Sequence, residues 1–265
     1  MTNLKKLLKW FDDKEKVLIS LSGGVDSALV AYAAEKVLGK NAIAVTADYK
    51  TLSSEELDSA KNIAHEIGIT HKTITYNELD NDNFVKNDKK RCFYCRDELS
   101  QKLLEFAGSL KIQTIVDGTQ NDDIGDYRPG IEALHGNGIR SPLLETKFTK
   151  ELVRKTAEDV GLSIFDKPSN SCLASRIPWG QRVTAKKLAR IEIGEKIIKQ
   201  KTGIQQVRVR DIDGTARIEV ESDKIHLLND HPVKNEIFTK LRMIGFSKVK
   251  IDPDGYFSGK LNVVY

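Results

Sequence analysis

Residues 17–27 read Val17-Leu18-Ile19-Ser20-Leu21-Ser22-Gly23-Gly24-Val25-Asp26-Ser27, and this stretch decides the fold. Val17 to Leu21 is a short apolar run, the pattern of a strand buried on both faces. Ser27 to Leu38 reads as a helix, with Gly39 placed to stop it. Between them, Gly23 and Gly24 let the backbone turn tightly and approach a ligand closely. The start of the following helix offers amide groups with no intrahelical partner, at the positive end of its dipole. Ser22 and Ser27 add hydroxyl donors. The segment is therefore read as an anion-binding loop built from Ser22, Gly23, Gly24, Asp26 and Ser27. No Lys follows the glycines, so it is not a Walker A loop. A plain Gly-Ser turn is the bland alternative, and the register of strand, loop and helix argues against it.

Outward from this loop, strands alternate with helices. A short amphipathic helix is predicted at 4–12, a second strand at Asn41–Tyr49, a third at Lys72–Tyr76 and a fourth at Ile112–Asp117. Ser53 or Ser54 is placed to cap a helix that runs to about Ile67, with Glu55 and Glu56 in its first turn. This order predicts an α/β fold with a doubly wound parallel sheet. Ligands of such sheets bind beyond the C-terminal strand ends. That places Asp48, after the second strand, and Gly118, Thr119, Asp122 and Asp123, after the fourth, near the same crevice. A polar, solvated loop is the alternative for each acid.

The pattern changes after Arg182. A helix at 184–201 precedes two strands, Gln205–Asp211 and Ala216–Glu221, joined by Asp213-Gly214, a hairpin signal. A helix near 232–244 and strands near 247–252 and 259–264 follow. The reading is two domains, 1–180 and a smaller α+β domain at 181–265. Arg208 and Arg210 alternate with Val207 and Val209, so one strand face carries both guanidiniums. That face is either an anion site or simply solvated.

The chain has 265 residues, 40% apolar and 30% charged, with a net charge of +4. This is the balance of a globular protein with a real core. It permits an anionic substrate without calling for nucleic acid, which a clustered basic face would announce. No apolar run approaches the roughly 18 residues of a membrane span. The N-terminal MTNLKKLLKWFDDKEK has no apolar leader core, so the protein is expected in the cytoplasm.

The three cysteines are Cys92, Cys95 and Cys172. An odd number in a reducing compartment points to metal or catalysis rather than disulfides. Cys92-Phe93-Tyr94-Cys95 lies ahead of a helical pattern at 97–107, and two thiolates three positions apart can chelate one centre. Three thiolates on a 4Fe–4S cluster would leave one iron without a protein ligand, open to sulfide. A redox dithiol, half of a zinc site completed by His, or a lone catalytic Cys172 remain alternatives.

Four blocks carry a family resemblance: SGGVDSALVAYAA at 22–34, GTQNDDIGDYRPG at 118–130, KPSNSCLASRIPWGQRVT at 167–184 and RVRDIDGTARIEV at 208–220. The first resembles the SGGxDS loop of the PP-loop ATP pyrophosphatases. Together they resemble the LarE sulfur transferases, a branch of that superfamily, over nearly the whole chain. The resemblance implies an ATP-dependent, Mg²⁺-assisted enzyme that forms AMP and pyrophosphate. Its substrate would be an anionic pyridinium nucleotide, pyridinium-3,5-dicarboxylate mononucleotide, which receives sulfur on the way to a nickel-pincer nucleotide. Asp26 would orient amides or hold Mg²⁺. Arg208, Arg210, Arg128, Arg176, Asp122 and Asp123 would serve the substrate, and Glu192, Glu195 and Glu219 a metal. One subgroup sacrifices the sulfur of a single cysteine in the position of Cys172. Another carries two more cysteines, as Cys92 and Cys95 do here, and is associated with a 4Fe–4S cluster that ferries sulfide from a separate donor. The resemblance also implies a hexamer. Some tRNA thiolases of the superfamily use a three-cysteine cluster, which makes tRNA thiolation the rival expectation.

Overall fold

The structure is a computed structural model, described here for residues 3–124, 129–257 and 260. It divides into two compact units, one of residues 1–78 and 90–170, the other of 79–89 and 171–265.

The first unit holds a four-stranded parallel sheet in the order β3-β2-β1-β4. The strands are β1 (Val17–Ser20), β2 (Ala42–Asp48), β3 (Thr70–Thr75) and β4 (Thr114–Val116). Its helices are α1 (Asn3–Phe11), α2 (Val25–Leu38), α3 (Ser54–Ile67), α5 (Arg91–Ser109), α6 (Pro129–Gly136), α7 (Pro142–Glu145) and α8 (Lys150–Asp159). Alternation along β1 sorts side chains to opposite faces. Val17 and Ile19 join a core with Leu7, Phe11, Leu29, Ile63 and Val153, from α1, α2, α3 and α8. Leu18 joins a second core with Leu99, Leu103 and Leu134, from α5 and α6. Helices thus cover both faces, as the doubly wound reading requires.

Local signals set the helix ends. Ser53 caps α3 by accepting from the Glu56 amide, and Gly68 closes it in the left-handed conformation at φ 80°. Helix α2 begins at Val25, two residues before the expected Ser27, so Asp26 and Ser27 lie in its first turn. Helix α5 begins at Arg91, so the cysteine pair is inside the helix rather than ahead of it. Tertiary packing overrode propensity there, because Leu99 and Leu103 bury the same helix face that Cys95 begins.

The second unit carries α4 (Asp82–Val85), α9 (Ala185–Thr202), α10 (Ile225–Asn229), α11 (His231–Met243) and a three-stranded sheet, β5-β6-β7. Strands β5 (Val207–Ile212) and β6 (Thr215–Val220) form the antiparallel hairpin predicted from Asp213-Gly214. Strand β7 (Lys248–Ile251) adds in parallel to β6. Ile198, Val207, Val209, Ile218, Ile237 and Leu241 form its core. The strand expected near 259–264 lies outside the described residues. Among the described residues no helix is long and apolar enough to cross a membrane.

Candidate active site

The phosphate loop occupies the turn from β1 to α2. Gly24 is the N-cap of α2, and no side chain caps that end. The first-turn amides are thus left to a ligand, with the helix dipole favouring an anion. Ser27 Oγ organises the loop by accepting from the Ser22 amide, bonding Ser22 Oγ and donating to Gly24 O, each at 3.1 Å. Gly23 has φ 80°, and a Cβ there would sit 2.5 Å from the Glu56 carbonyl. Gly118, after β4, packs so closely that a Cβ would meet the Ser27 amide nitrogen at 2.6 Å. The close approach expected of Gly118 is therefore to the loop's own helix.

Asp26 is the acid of this loop. Its Oδ2 pairs with Lys150 Nζ at the start of α8. Its Oδ1 is buried without a hydrogen-bond partner among the described residues. A buried carboxylate oxygen left unpaired suits a hard cation, so the chemistry of Asp26 fits the Mg²⁺ that the resemblance implies. Lys150 was not anticipated; no local pattern links it to a loop 124 residues away.

The acids after β4 do local work. Asp123 accepts from the Gln120 amide at 3.1 Å, and Asp122 accepts from the Lys150 amide at 2.8 Å. Thr119 donates its hydroxyl to Asp117 at 2.5 Å. Asp48 ends β2, half-buried. Arg128 lies outside the described residues.

Cys92 and Cys95 occupy the first two turns of α5. Lys90, Arg91 and Arg96 flank them. Cys92 is exposed; Cys95 is buried and donates to Glu78 Oε1 at 2.9 Å. Thr51 donates to the other oxygen of Glu78 at 2.6 Å. Burial holds the Glu78 carboxyl above its usual range, against those two hydrogen bonds. The donor chemistry of this pair suits a soft iron centre, and ligation by Cys95 would replace its bond to Glu78. Among the described residues no three His, Cys, Asp or Glu side chains are grouped to hold a metal ion.

In the second unit Cys172 precedes a short 3₁₀ turn, Leu173–Arg176. Arg176 is completely buried. It donates to Cys172 O at 3.0 Å and to the Ser171 carbonyl, and grips Glu195 with two bonds of 2.8 and 3.0 Å. Burial pushes the Glu195 carboxyl up, but Arg176 and then Arg208 outweigh it and hold the acid below its usual range.

The Arg208 and Arg210 face is not solvated: the two residues are 3% and 5% exposed. Register sets Arg208 opposite Glu219 and Arg210 opposite Arg217. Arg210 and Arg217 both bind Glu219, at 2.7 and 2.9 Å. Arg210 also donates to Ser175 O at 3.0 Å. Arg208 lies 5.3 Å from the Tyr256 ring, and burial followed by repulsion from Arg176 pushes its pKa down to about 10. Repulsion of that kind favours the arrival of an anion. Glu195 and Glu219 are engaged by arginines, which leaves them poor choices for a metal.

The match to known proteins follows the same division. A family model described as NAD synthase matches residues 3–160. An NH3-dependent NAD+ synthetase of Fusobacterium nucleatum is 40% identical over 76 residues, 28% of this chain and 29% of its own. A pyridinium-3,5-bisthiocarboxylic acid mononucleotide synthase of Lactiplantibacillus plantarum is 32% identical over 263 residues, 98% of this chain and 94% of its own. The chain belongs to the LarE family of PP-loop ATP pyrophosphatases. An uncharacterized protein of Synechocystis is 41% identical over 263 residues, 99% of this chain and 98% of its own. As a LarE-family member the protein is an ATP-using enzyme of the PP-loop type.

Proposed function

We propose that the chain is an ATP-dependent sulfur transferase whose acceptor is a carboxylate of pyridinium-3,5-dicarboxylate mononucleotide. The reading is carried by the uncapped start of α2 behind the Gly23-Gly24 turn, in a chain alike over its whole length to a synthase of a bisthiocarboxylic acid mononucleotide. A carboxylate resists substitution because its oxide is a poor leaving group. An acceptor oxygen attacks the α-phosphorus of ATP, the α–β bridge breaks, and pyrophosphate departs. Sulfide then attacks the acyl carbon and the bond to AMP breaks, leaving a thiocarboxylate. No oxidation state of carbon or phosphorus changes.

The chain's residues divide the work. Ser22, Gly23, Gly24 and Ser27 hold the departing phosphates by fixed dipoles. Asp26 would hold Mg²⁺, which neutralises charge on pyrophosphate. Arg208, whose charge burial and then Arg176 disfavour, takes the acceptor's phosphate, while Arg210 holds the strand through Glu219. Arg176 braces the backbone at Cys172. A 4Fe–4S cluster on Cys92, Cys95 and Cys172 would supply the sulfide at the iron without a thiolate. The division of work goes with this reading: the unit of residues 1–78 and 90–170 for ATP, and the unit of 79–89 and 171–265, in place of the expected 181–265, for the acceptor and for assembly into a homo-oligomer.

The test is turnover by full-length protein purified without oxygen, supplied with ATP, Mg²⁺, the mononucleotide and hydrosulfide. AMP, pyrophosphate and thiocarboxylate should rise together over many cycles, with iron and sulfide bound and Cys172 intact by mass spectrometry. ADP as the product would overturn the adenylation reading. Dehydroalanine at position 172 in step with product would replace supplied sulfide by the cysteine's own sulfur. Thiolation of tRNA in place of the mononucleotide would move the acceptor to the rival class.

A further inference from the structure

Segment 165–170, which leads to Cys172, is pinned within the first unit from two sides. From α8, Arg154 donates to Phe165 O at 2.9 Å and Lys167 O at 2.7 Å. From α3, Glu56 takes one bond from Lys167 Nζ at 2.9 Å and one from Asn170 Nδ2 at 3.0 Å. Lys167 Nζ also donates to Gly23 O at 2.9 Å and to Ser59 Oγ at 2.8 Å. Ser59 Oγ in turn donates to Gly23 O at 3.0 Å.

An ammonium has three protons, and these three contacts use them all. Gly23 is the first glycine of the phosphate loop, and its carbonyl is where the chain of bonds begins. Glu56 is 9% exposed and sits where that chain divides, one oxygen toward the loop through Lys167, the other toward Asn170. Glu56 also supplies the carbonyl that excludes any side chain at Gly23. A displacement of the loop carbonyl therefore has a stiff route to Asn170, two positions before Cys172.

We propose that Glu56 is a positioning residue that transmits occupancy of the phosphate loop to the segment carrying Cys172. The inference rests on nucleotide binding at the loop but not on the sulfur chemistry. Phosphates arriving against Gly23 and Gly24 compete with Glu56 and Ser59 for Lys167. Any exchange of partner is felt at Asn170, because the same carboxylate holds both.

Hydrogen–deuterium exchange of the full chain, with and without α,β-methylene ATP, tests this. In the wild type the nucleotide should slow exchange at 22–27 and change exchange across 167–176 by about fivefold or more, the range of ordinary site-to-site coupling. Glu56→Gln should keep protection at 22–27 and lose the response at 167–176. Asn170→Ala, which leaves Lys167 on the loop, should do the same and covers the case of a misfolded Glu56 variant. A response at 167–176 that survives both substitutions overturns the proposal. So does loss of nucleotide protection at 22–27 in both, which would make these residues part of the nucleotide site. Protection at 22–27 in the wild type with 167–176 unmoved overturns the link alone. No protection at 22–27 in the wild type removes the nucleotide reading and the link with it.

Discussion

Two arginines and one lysine show how residue type differs from residue role. Arg208 and Arg210 alternate on one strand, yet their environments separate them. Arg210 has a carboxylate and a carbonyl as partners, whereas Arg208 donates to Val207 O, lies over the Tyr256 ring and stands between the repulsion of Arg176 and the attraction of Glu195. Arg208→Ala should weaken acceptor binding by about 1.5–3 kcal/mol, the range for a charge-assisted bond. Arg210→Ala should instead lower the melting temperature, because the buried Glu219 loses one of the two arginines that hold it. Calorimetric titration beside thermal melts separates the two. Lys150 is a fixed cation on Asp26. Lys150→Met should lower the Mg²⁺ concentration needed for half-maximal nucleotide binding, since a competitor for the carboxylate is gone, and should weaken nucleotide binding in chelator. An unchanged Mg²⁺ requirement would make the pair structural only.

At the scale of the element, the phosphate loop is a contact between three pieces of backbone. Gly23 lies against α3 and Gly118 against the first turn of α2, with room for a Cβ at neither. Gly118→Ala is the informative change, because its obstacle is the backbone at Ser27 rather than a side chain that can swing aside. It should displace the start of α2 and abolish nucleotide binding, with an overpacking cost of about 1–3 kcal/mol read from denaturant melts. Retained affinity at wild-type level would show that the loop relaxes around the methyl group. The same loop tolerates no side chain at Gly23, whose φ of 80° strains any other residue as well.

For the molecule as a whole, acid should act in two stages. His71 bonds Thr46 at 2.8 Å, and Thr46 donates its own proton to Leu21 O, so the ring donates to Thr46 from Nε2. Burial, then Lys61, lowers its pKa below 6.5. A histidine depressed by folding takes up its proton more readily when unfolded. Its contribution is present in full above the unfolded value and is lost as pH falls through the folded one. Glu195 follows at lower pH: held down in the fold, it stabilises above its unfolded value of 4.5 and ceases to as pH falls through the folded value. Melting temperature should therefore decline in two steps below about pH 6.5. His71→Gln should remove the first step alone. A profile unchanged by that substitution would assign the upper step to another group.

The features legible from residue order are those that local chemistry settles. Apolar runs set three of the four parallel strands in their observed sequence; β3, Thr70–Thr75, is largely polar and exposed. Ser53, Gly68 and Asp213-Gly214 set helix ends and a hairpin, because caps and turns are decided within a few bonds. The SGGVDS loop showed its anion chemistry in the same way, since a strand, two glycines and a helix start suffice to build it. Long-range partners followed other rules. Lys150 meets Asp26 across 124 positions and Lys167 meets Glu56 across 111, pairings that no periodicity encodes. Alternation placed Arg208 and Arg210 on one face but could not say whether water or Glu219 lay beyond it. A charged strand face reads the same in either case. Only the packing of β6 and the 3₁₀ turn after Cys172 against β5 decided it, by supplying the carboxylate and carbonyl that make buried guanidiniums stable.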